Sequence, residues 1–595
     1  MSRKRRVPPQ DAMFLWTETP ETMMHVASLM PFTPPAGAGP TYLRDVLDEA
    51  REEPVKSPWN MKLTHPFLLR HPLQSWVEDE SFDFDYHVRR SALASPGDER
   101  ELGILVSRLH SHQLDFTRPP WELHVIEGLE GGRFALYTKV HHALVDGFTA
   151  VKMLGRSLSE DPDAQGKFFF SLDPPKRSKP PKESASLVRA VSGTATGVAK
   201  GAIGAAGSAA GVAKAVVKLE LSRGEEHKNL KGGWSAPDSI LNQRTSRARR
   251  FATQQFDTSR FKAVAEASGG TLNDVVMAVC GGGLRTYLSE LDALPEKPLV
   301  AFVPVNIREQ GDEGGGNKVA VLMASMGTDV DDPVRRLEAV IDSTSQAKSQ
   351  MAGLGQLPAL AYSGYLLAPS LAQTVSAIAG VKNPLPTTFN LVLSNVPGPK
   401  KTLYLRGSRL EAVYPVSIPA HGMALNITLE TYAGTMNFGF IGDREAVPHL
   451  QRLAVYTGEA LTALEEGLGL PGGADSEGAR SPEAQAQAPK KTGSGPSSVT
   501  RAALAKPAKK STAEKSAAKK STAKKSAAKK ATAKKSTAKK SAAKKSTAKE
   551  SAAQGTATTN TAKKATATKT TANKGTGKKV TAKKTSATNS GSAPS

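Results

Sequence analysis

Apolar positions change period several times along the chain, and each change marks a boundary. In residues 11–160 helical patterns alternate with strand-like runs. Within 133–140, Phe134, Leu136, Thr138 and Val140 share one parity, the period of a half-buried strand, and the run leads straight into His141 and His142. Past Gly147, Val151, Leu154 and Leu158 recur at helical spacing, so the histidines are expected on a strand-to-helix connection. The alternation resumes in 246–470. There Leu272-Asn273-Asp274 opens an apolar helix carrying Val275, Val279, Leu284 and Leu288, and 299–305 and 436–441 read as buried strands. The pattern predicts an α/β fold, with one subdomain over 1–160 and a second over 246–470.

The remaining regions break the pattern. Residues 161–245 form a linker that opens with Pro174-Pro175-Lys176-Arg177 and Lys179-Pro180-Pro181-Lys182 and turns rich in Gly and Ala. Its uncharged run from Gly201 to Ala213 covers 13 residues, and a helix needs about 20 to span a bilayer. The scattered Val and Ile among Lys200, Lys214 and Lys218 leave two readings, a plain linker or an interfacial membrane contact. Many glycines and a thin apolar face favour the linker. From 471 onward order is expected to be lost. No aromatic residue follows Tyr456, and 511–550 are eight pentads of the form Ser/Ala-Thr/Ala-Ala-Lys-Lys, a period that builds no helical stripe.

Charge changes the picture only at that tail. The chain carries a formal net charge of +23, which by itself suggests a nucleic-acid binder. From Lys490 onward, however, 28 lysines and arginines face only Glu514 and Glu550, giving +26. The 51 basic and 54 acidic residues before Lys490 leave the body at −3. The tail should bind polyanions through counterion release, with steep salt dependence and no sequence reading. Nucleic acid, anionic lipid and acidic partners all qualify. The single cysteine, Cys280, lies among apolar residues and reads as a small buried hydrophobe in a reduced setting. The basic N-terminus, Ser2-Arg3-Lys4-Arg5-Arg6, runs into Val7-Pro8-Pro9 rather than an apolar segment, so no export signal is expected.

The candidate chemistry sits in His141-His142-Ala143-Leu144-Val145-Asp146-Gly147. An alcohol is a poor nucleophile at neutral pH. An imidazole hydrogen-bonded to its hydroxyl can take the proton as the oxygen attacks a carbonyl, and can return it to the leaving group. His142 is the candidate base. The plainer alternative makes both histidines satisfied core or loop residues and Asp146 a helix cap. A metal site is disfavoured, because neighbouring histidines on a strand point to opposite faces and no further ligand cluster is evident. The glycine runs at 281–283 and 314–316 lack the Gly-Lys-Ser/Thr of a phosphate-binding loop.

His-His-x-x-x-Asp-Gly resembles the signature of the CoA-dependent acyltransferase superfamily, which includes chloramphenicol acetyltransferase and peptide-synthetase condensation domains. From about residue 11 to 466, apart from most of the linker, the chain resembles the bacterial bifunctional wax ester synthase and diacylglycerol acyltransferases. The supporting strings, in order, are Phe14-Leu15-Trp16, Met24-His25-Val26, Phe82-Asp83-Phe84-Asp85-Tyr86-His87-Val88 and Leu114-Asp115-Phe116-Thr117-Arg118-Pro119-Pro120-Trp121. Then come Thr271-Leu272-Asn273-Asp274-Val275, Pro304-Val305-Asn306-Ile307-Arg308, Gly316-Asn317-Lys318 and Ser394-Asn395-Val396-Pro397-Gly398-Pro399. Pro120 departs from the leucine of the family's Pro-Leu-Trp motif.

This resemblance implies two chloramphenicol-acetyltransferase-like subdomains and the transfer of a long-chain acyl group from acyl-CoA to diacylglycerol or a fatty alcohol. Acyl-CoA serves as co-substrate and no cofactor or metal is implied. It makes His142 the general base and His141 a support. Asp146 and Gly147 become a structural brace, with Arg308 expected as the partner of Asp146. Asn273, Asp274 and Asn395 are expected near the substrate channel, although Asn273 or Asp274 could equally cap a helix, and the turn at Asn395 could simply redirect the chain. With lipid substrates and no spanning segment, a cytoplasmic protein resting on the inner membrane or a lipid body is expected. Two other readings compete. One is a condensation-like member of the superfamily, although no carrier or adenylation module follows. The other is a histone-like binding protein with an inactive body, against which the intact histidine motif argues.

Overall fold

The computed structural model describes residues 4–145, 147–173, 236–306, 319–352 and 387–472. Asp146, Arg308, the Gly/Ala-rich stretch and the lysine tail fall outside them. The first half runs β1 (Arg5–Arg6), α1 (Pro9–Thr17), β2 (His25–Thr33), α2 (Tyr42–Glu52), β3 (Met61–Leu63) and β4 (Ser75–Glu78). It continues through α3 (Phe84–His87), β5 (Val88–Ala92), α4 (Glu99–His110), β6 (Trp121–Glu127), β7 (Phe134–His141) and α5 (Gly147–Arg156). The second half begins with β8 (Arg249–Asp257), α6 (Thr258–Ser268), α7 (Leu272–Glu290), β9 (Val300–Asn306), β10 (Val319–Ser325) and α8 (Pro333–Ala352). It ends with β11 (Leu391–Val396), β12 (Tyr404–Leu405), β13 (Ser408–Leu410), β14 (Tyr414–Val416), β15 (Leu425–Tyr432), β16 (Thr435–Asp443) and α9 (Leu450–Gly467).

Among the described residues these strands make two large mixed sheets and a small one. The first large sheet has the order β12-β13-β2-β7-β6-β5, with β14 also on β2; the second has the order β10-β9-β11-β15-β16-β8. The small sheet, β1-β4-β3, lies in the first half. Three strands of the second half therefore cross over to complete the first sheet. A two-residue turn makes the crossing hairpin, with Arg406 and Gly407 both at positive φ as a tight antiparallel turn requires. Arg406 fastens it by pairing with Glu49 and Glu53 of the first half.

The 133–140 run differs from expectation in an instructive way. Its alternation predicts a half-buried strand, yet every residue of β7 is buried. Phe134, Leu136 and Val140 enter the first core, while Ala135 and Tyr137 on the other face join a third core shared with Phe251, Tyr414, Val416 and Ile441 of the second half. The face that looks solvent-directed in sequence is covered by the rest of the protein. Helix α4 takes part in that cover and closes an exposed sheet edge. Ser107 and Ser111, one turn apart, accept from the backbone N–H groups of Phe251 and Arg249 on edge strand β8, each at 2.9 Å.

Packing also extends past residue 160, where the linker was expected to begin. Phe168, Phe169 and Phe170 are buried in the first core, and the Phe170 carbonyl accepts from Lys56 N–H at 2.8 Å. Aromatic burial outweighs the loop-like composition around them. The glycines at 281–283 prove to be contact points inside α7. A Cβ on Gly281 would sit 2.1 Å from the Met326 carbonyl oxygen, and one on Gly283 would sit 2.7 Å from Thr457 of α9. Cys280, beside them, is buried with its thiol pushed up to about 12 by desolvation. Among the described residues no helix is long and apolar enough to cross a membrane.

Candidate active site

The two histidines end β7 and part company there. His141 is the last strand residue, paired across the ladder with His25 of β2 and 1% exposed. Its Nδ1 accepts from the Ala143 N–H at 3.1 Å, which assigns the ring proton to Nε2. That N–H faces Glu18 Oε2 at 3.5 Å, close but longer than a good hydrogen bond. Phe116 closes the ring edge-on at 5.1 Å. His142 is half-buried. Its backbone N–H donates to the Met24 carbonyl at 2.9 Å, and its ring lies against Phe14 with centroids 4.0 Å apart. Ala143, Leu144 and Val145 then plug the turn into the first core before Gly147 starts α5. His141 is thus enclosed in the interior, while His142 sits half-buried against Phe14.

The Pro119-Pro120-Trp121 string supports this junction from below. The Pro120 carbonyl accepts from His141 N–H at 3.0 Å, and Trp121 is fully buried with its indole N–H on the Trp59 carbonyl at 2.7 Å. A proline carbonyl serves this purpose as well as a leucine's would. Glu18 joins the same framework by accepting from Met24 N–H and from Gln113 Nε2 at 2.7 Å.

A buried polar layer continues along the inner face of the first sheet. His25 Nε2 donates to the His110 carbonyl at 3.0 Å. His110 Nε2 donates to the Ser417 carbonyl at 3.2 Å, so its Nδ1 accepts from the Tyr137 hydroxyl at 2.9 Å. Desolvation, with the Lys139 charge nearby, holds His110 down to about 3 and puts His25 well below the ordinary histidine value. Both rings are neutral in the folded protein at physiological pH. Lys139 uses its three donors on Leu109 O, His112 O and Glu122 Oε2, at 3.1, 3.1 and 3.2 Å. Burial alone would raise Glu122. The hydrogen bond from His124 and the charges of Lys139 and Arg89 outweigh it and hold the carboxyl at about 2.

The second half meets this site at the loop between α1 and β2. Arg249 and the Thr245 hydroxyl both donate to the Glu21 carbonyl, and Arg249 is ion-paired to Asp443 at 3.5 Å. Desolvation lowers Arg249 to about 10, still cationic at neutral pH. Of the residues expected along a channel, the structure joins Asn273 and Asn395, whose side-chain amides are hydrogen-bonded at 2.7 Å between the start of α7 and the end of β11. Asp274 is used differently. Its Oδ2 accepts from the Thr271 N–H and hydroxyl, and its Oδ1 from Thr344, so the carboxylate is committed to the cap of α7. Among the described residues no group of three or more His, Cys, Asp or Glu side chains converges to hold a metal ion.

Sequence reasoning passed over Phe14, Glu18, His110, Lys139, Glu122 and Glu430. Phe14 and His25 lie in strings that mark the family, yet spacing alone does not reveal that they meet His142 and His141 from 128 and 116 positions away. Glu430 is 3% exposed on β15, beside Gly398 of the Asn395–Pro399 turn, and desolvation pushes its carboxyl up to about 8.

The comparisons agree with this architecture. The model for the wax ester synthase/diacylglycerol acyltransferase catalytic domain matches residues 7–276, and that for the family's C-terminal domain matches 315–465. A Mycobacterium tuberculosis protein named as a candidate diacylglycerol O-acyltransferase is 54% identical over 489 residues, spanning 79% of this chain and 98% of its own. The O-acyltransferase WSD of Acinetobacter baylyi is 37% identical over 472 residues, spanning 78% and 97%. The solved wax ester synthase/diacylglycerol acyltransferase of Marinobacter aquaeolei VT8 superposes with a TM-score of 0.62 at 37% identity, covering 78% of this chain and 100% of that one. The chain is thus an acyltransferase that belongs to the wax ester synthase/diacylglycerol acyltransferase family.

Proposed function

We propose that the protein moves a long-chain acyl group from acyl-CoA to the hydroxyl of diacylglycerol, a fatty alcohol, or both, with His142 as general base. His142 takes the hydroxyl proton as the oxygen attacks the thioester carbon. The tetrahedral intermediate then collapses, the C–S bond breaks, and the imidazolium returns the proton to the CoA thiolate. The observation that carries this reading is the division of labour between the histidines: His141 is locked by Ala143 and Glu18, while half-buried His142 is held flat against Phe14. The names of the relatives support the two acceptor classes.

The test is purified protein with palmitoyl-CoA and either a diacylglycerol or hexadecanol, following thiol release and lipid product together. Esterification of at least one acceptor is expected, with loss of about 100-fold or more in His142→Ala. No ester from either acceptor, or an undiminished variant, defeats the reading. Asp146 and Gly147 brace the loop in this scheme, and Arg308 pairs with Asp146, so Arg308→Ala should lower activity and stability together. The tail from Lys490 binds nucleic acid or anionic lipid. Its removal should abolish salt-sensitive binding to DNA and anionic vesicles and leave turnover of dispersed substrate in place.

A further inference from the structure

Six large apolar side chains are exposed among the described residues, and five of them come from two adjoining segments. Met13 and Trp16, three residues apart on one side of α1, are 44% and 43% exposed. Phe67, Leu68 and Leu73, on the loop between β3 and β4, are 91%, 57% and 59% exposed. The two segments are tied together. Arg70 Nε donates to the Trp16 carbonyl at 2.9 Å, Arg6 donates to the Pro72 carbonyl at 3.3 Å, and β1, just ahead of α1, pairs with β4.

The loop is built to hold its apolar tip outward. Gln74, buried beneath it, accepts from His65 N–H at 3.0 Å and donates to the His65 carbonyl at 2.9 Å. Leu68 N–H returns to the His65 carbonyl, His71 N–H to the Leu68 carbonyl, and Leu69 packs on the first core. Five exposed apolar side chains on two segments tied to each other make a patch of the kind that marks an interaction surface. The charges say which kind. Residues 4–17 and 64–74 contain Lys4, Arg5, Arg6 and Arg70 against the single acid Asp11. Apolar and indole groups rimmed by cations suit the interface of an anionic bilayer better than a protein surface.

We infer that Met13, Trp16, Phe67, Leu68 and Leu73, with their basic rim, dock the protein onto an anionic phospholipid bilayer and set the mouth of the active site against it. The connection to chemistry is α1 itself. Trp16 lies on the outer side of the helix whose Phe14 stacks on His142, so the width of one helix separates the docking face from the proposed base. This inference takes from the proposed function only that the acceptor is a lipid.

The test is co-sedimentation of the full chain with phosphatidylcholine vesicles, with and without phosphatidylglycerol, in about 0.5 M NaCl, where a Debye length of roughly 4 Å screens the lysine tail. The F67S/L68S double variant is expected to lose at least about tenfold in partition to the phosphatidylglycerol vesicles. Ile104→Ser, which removes the sixth exposed apolar group on α4, should bind as the parent does. Turnover of diacylglycerol embedded in vesicles should fall with partition, while turnover of detergent-dispersed alcohol stays within about twofold. Unchanged partition in the double variant, or an equal fall on both substrates, overturns the inference. Partition is read without turnover, so a chain that binds through this face but esterifies nothing would count against acyl transfer and not against docking.

Discussion

Glu122 on β6 and Glu430 on β15 occupy corresponding situations in the two halves. Each is almost fully buried on the sheet face opposite its half's apolar core, and each follows the alternation of its strand. Their environments pull them apart. Glu122 has Lys139, Arg89 and His124 around it and stays ionised, at about 2. Glu430 packs against the Gly398 backbone with no cation beside it among the described residues, and burial raises it to about 8. The first sheet has committed its inner polar residues to one another and so fixes the histidine pair. The second has left a carboxyl largely protonated at neutral pH, able to donate a hydrogen bond from a wall of the interior. Burial raises both carboxyls, and only where neighbouring cations and donors outweigh it does the charge survive.

Breaking the first network should have the largest effect. Glu122→Ala leaves Lys139 buried without its counter-ion and should cost about 3–5 kcal/mol in urea unfolding. Lys139→Met in that background should recover much of the loss. A cost below about 1 kcal/mol would mean the carbonyls of Leu109 and His112 suffice for the ammonium. Acid comes next. His25 and His110 are neutral when folded, with values depressed below that of an unfolded histidine. Their contribution is therefore present above pH ~6.5 and lost as pH falls toward the folded values. For His110, at about 3, the loss amounts to roughly 3 kcal/mol by pH 4. Unfolding monitored against pH should show a steep acid limb that His110→Gln flattens.

Much of the candidate site was legible in sequence because it depends on local pattern. The alternation of 134–140 placed the histidines at a strand end, and Thr271 to Leu288 announced α7. The inner polar layer was not legible, for a physical reason. Tyr137, Lys139 and His141 occupy the parity that a half-buried strand turns to water, and only the covering α4 and second half convert that face into an interior. The crossing strands β12 to β14 were missed because each is two or three residues long and pairs with itself or with β2, more than 370 positions away. Asp274 shows the reverse case. In sequence a helix cap and a channel role stood equally open for it, and its side chain makes the cap with Thr271 three residues earlier.

Glu430 offers the mirror image of the acid limb. Its value is raised on folding, so its contribution is complete below an unfolded glutamate's ~4.5 and is lost as pH rises through about 8. Across the two pH units from 5 to 7 this amounts to about 2–3 kcal/mol. Glu430→Gln should remove that slope, bringing variant and parent together near pH 5 and leaving the variant more stable at pH 8. Coincident slopes would mean that water reaches the carboxyl and the contrast with Glu122 is shallower than burial implies.

The smallest effect is expected at Asn273 and Asn395, whose exposed amide contact joins α7 to β11. Asn273→Ala and Asn395→Ala should each cost about 1 kcal/mol or less, with a coupling of about 0.5 kcal/mol in the double variant. Kinetics make this pair informative beyond its size. If the contact serves only to hold strand and helix together, kcat and KM should move little in either variant. A channel role predicts that KM for one substrate rises in Asn395→Ala by more than the stability change accounts for. The second sheet would then contribute to substrate binding through side chains near both ends of the Asn395–Glu430 corner, while the first sheet carries the proposed base, His142.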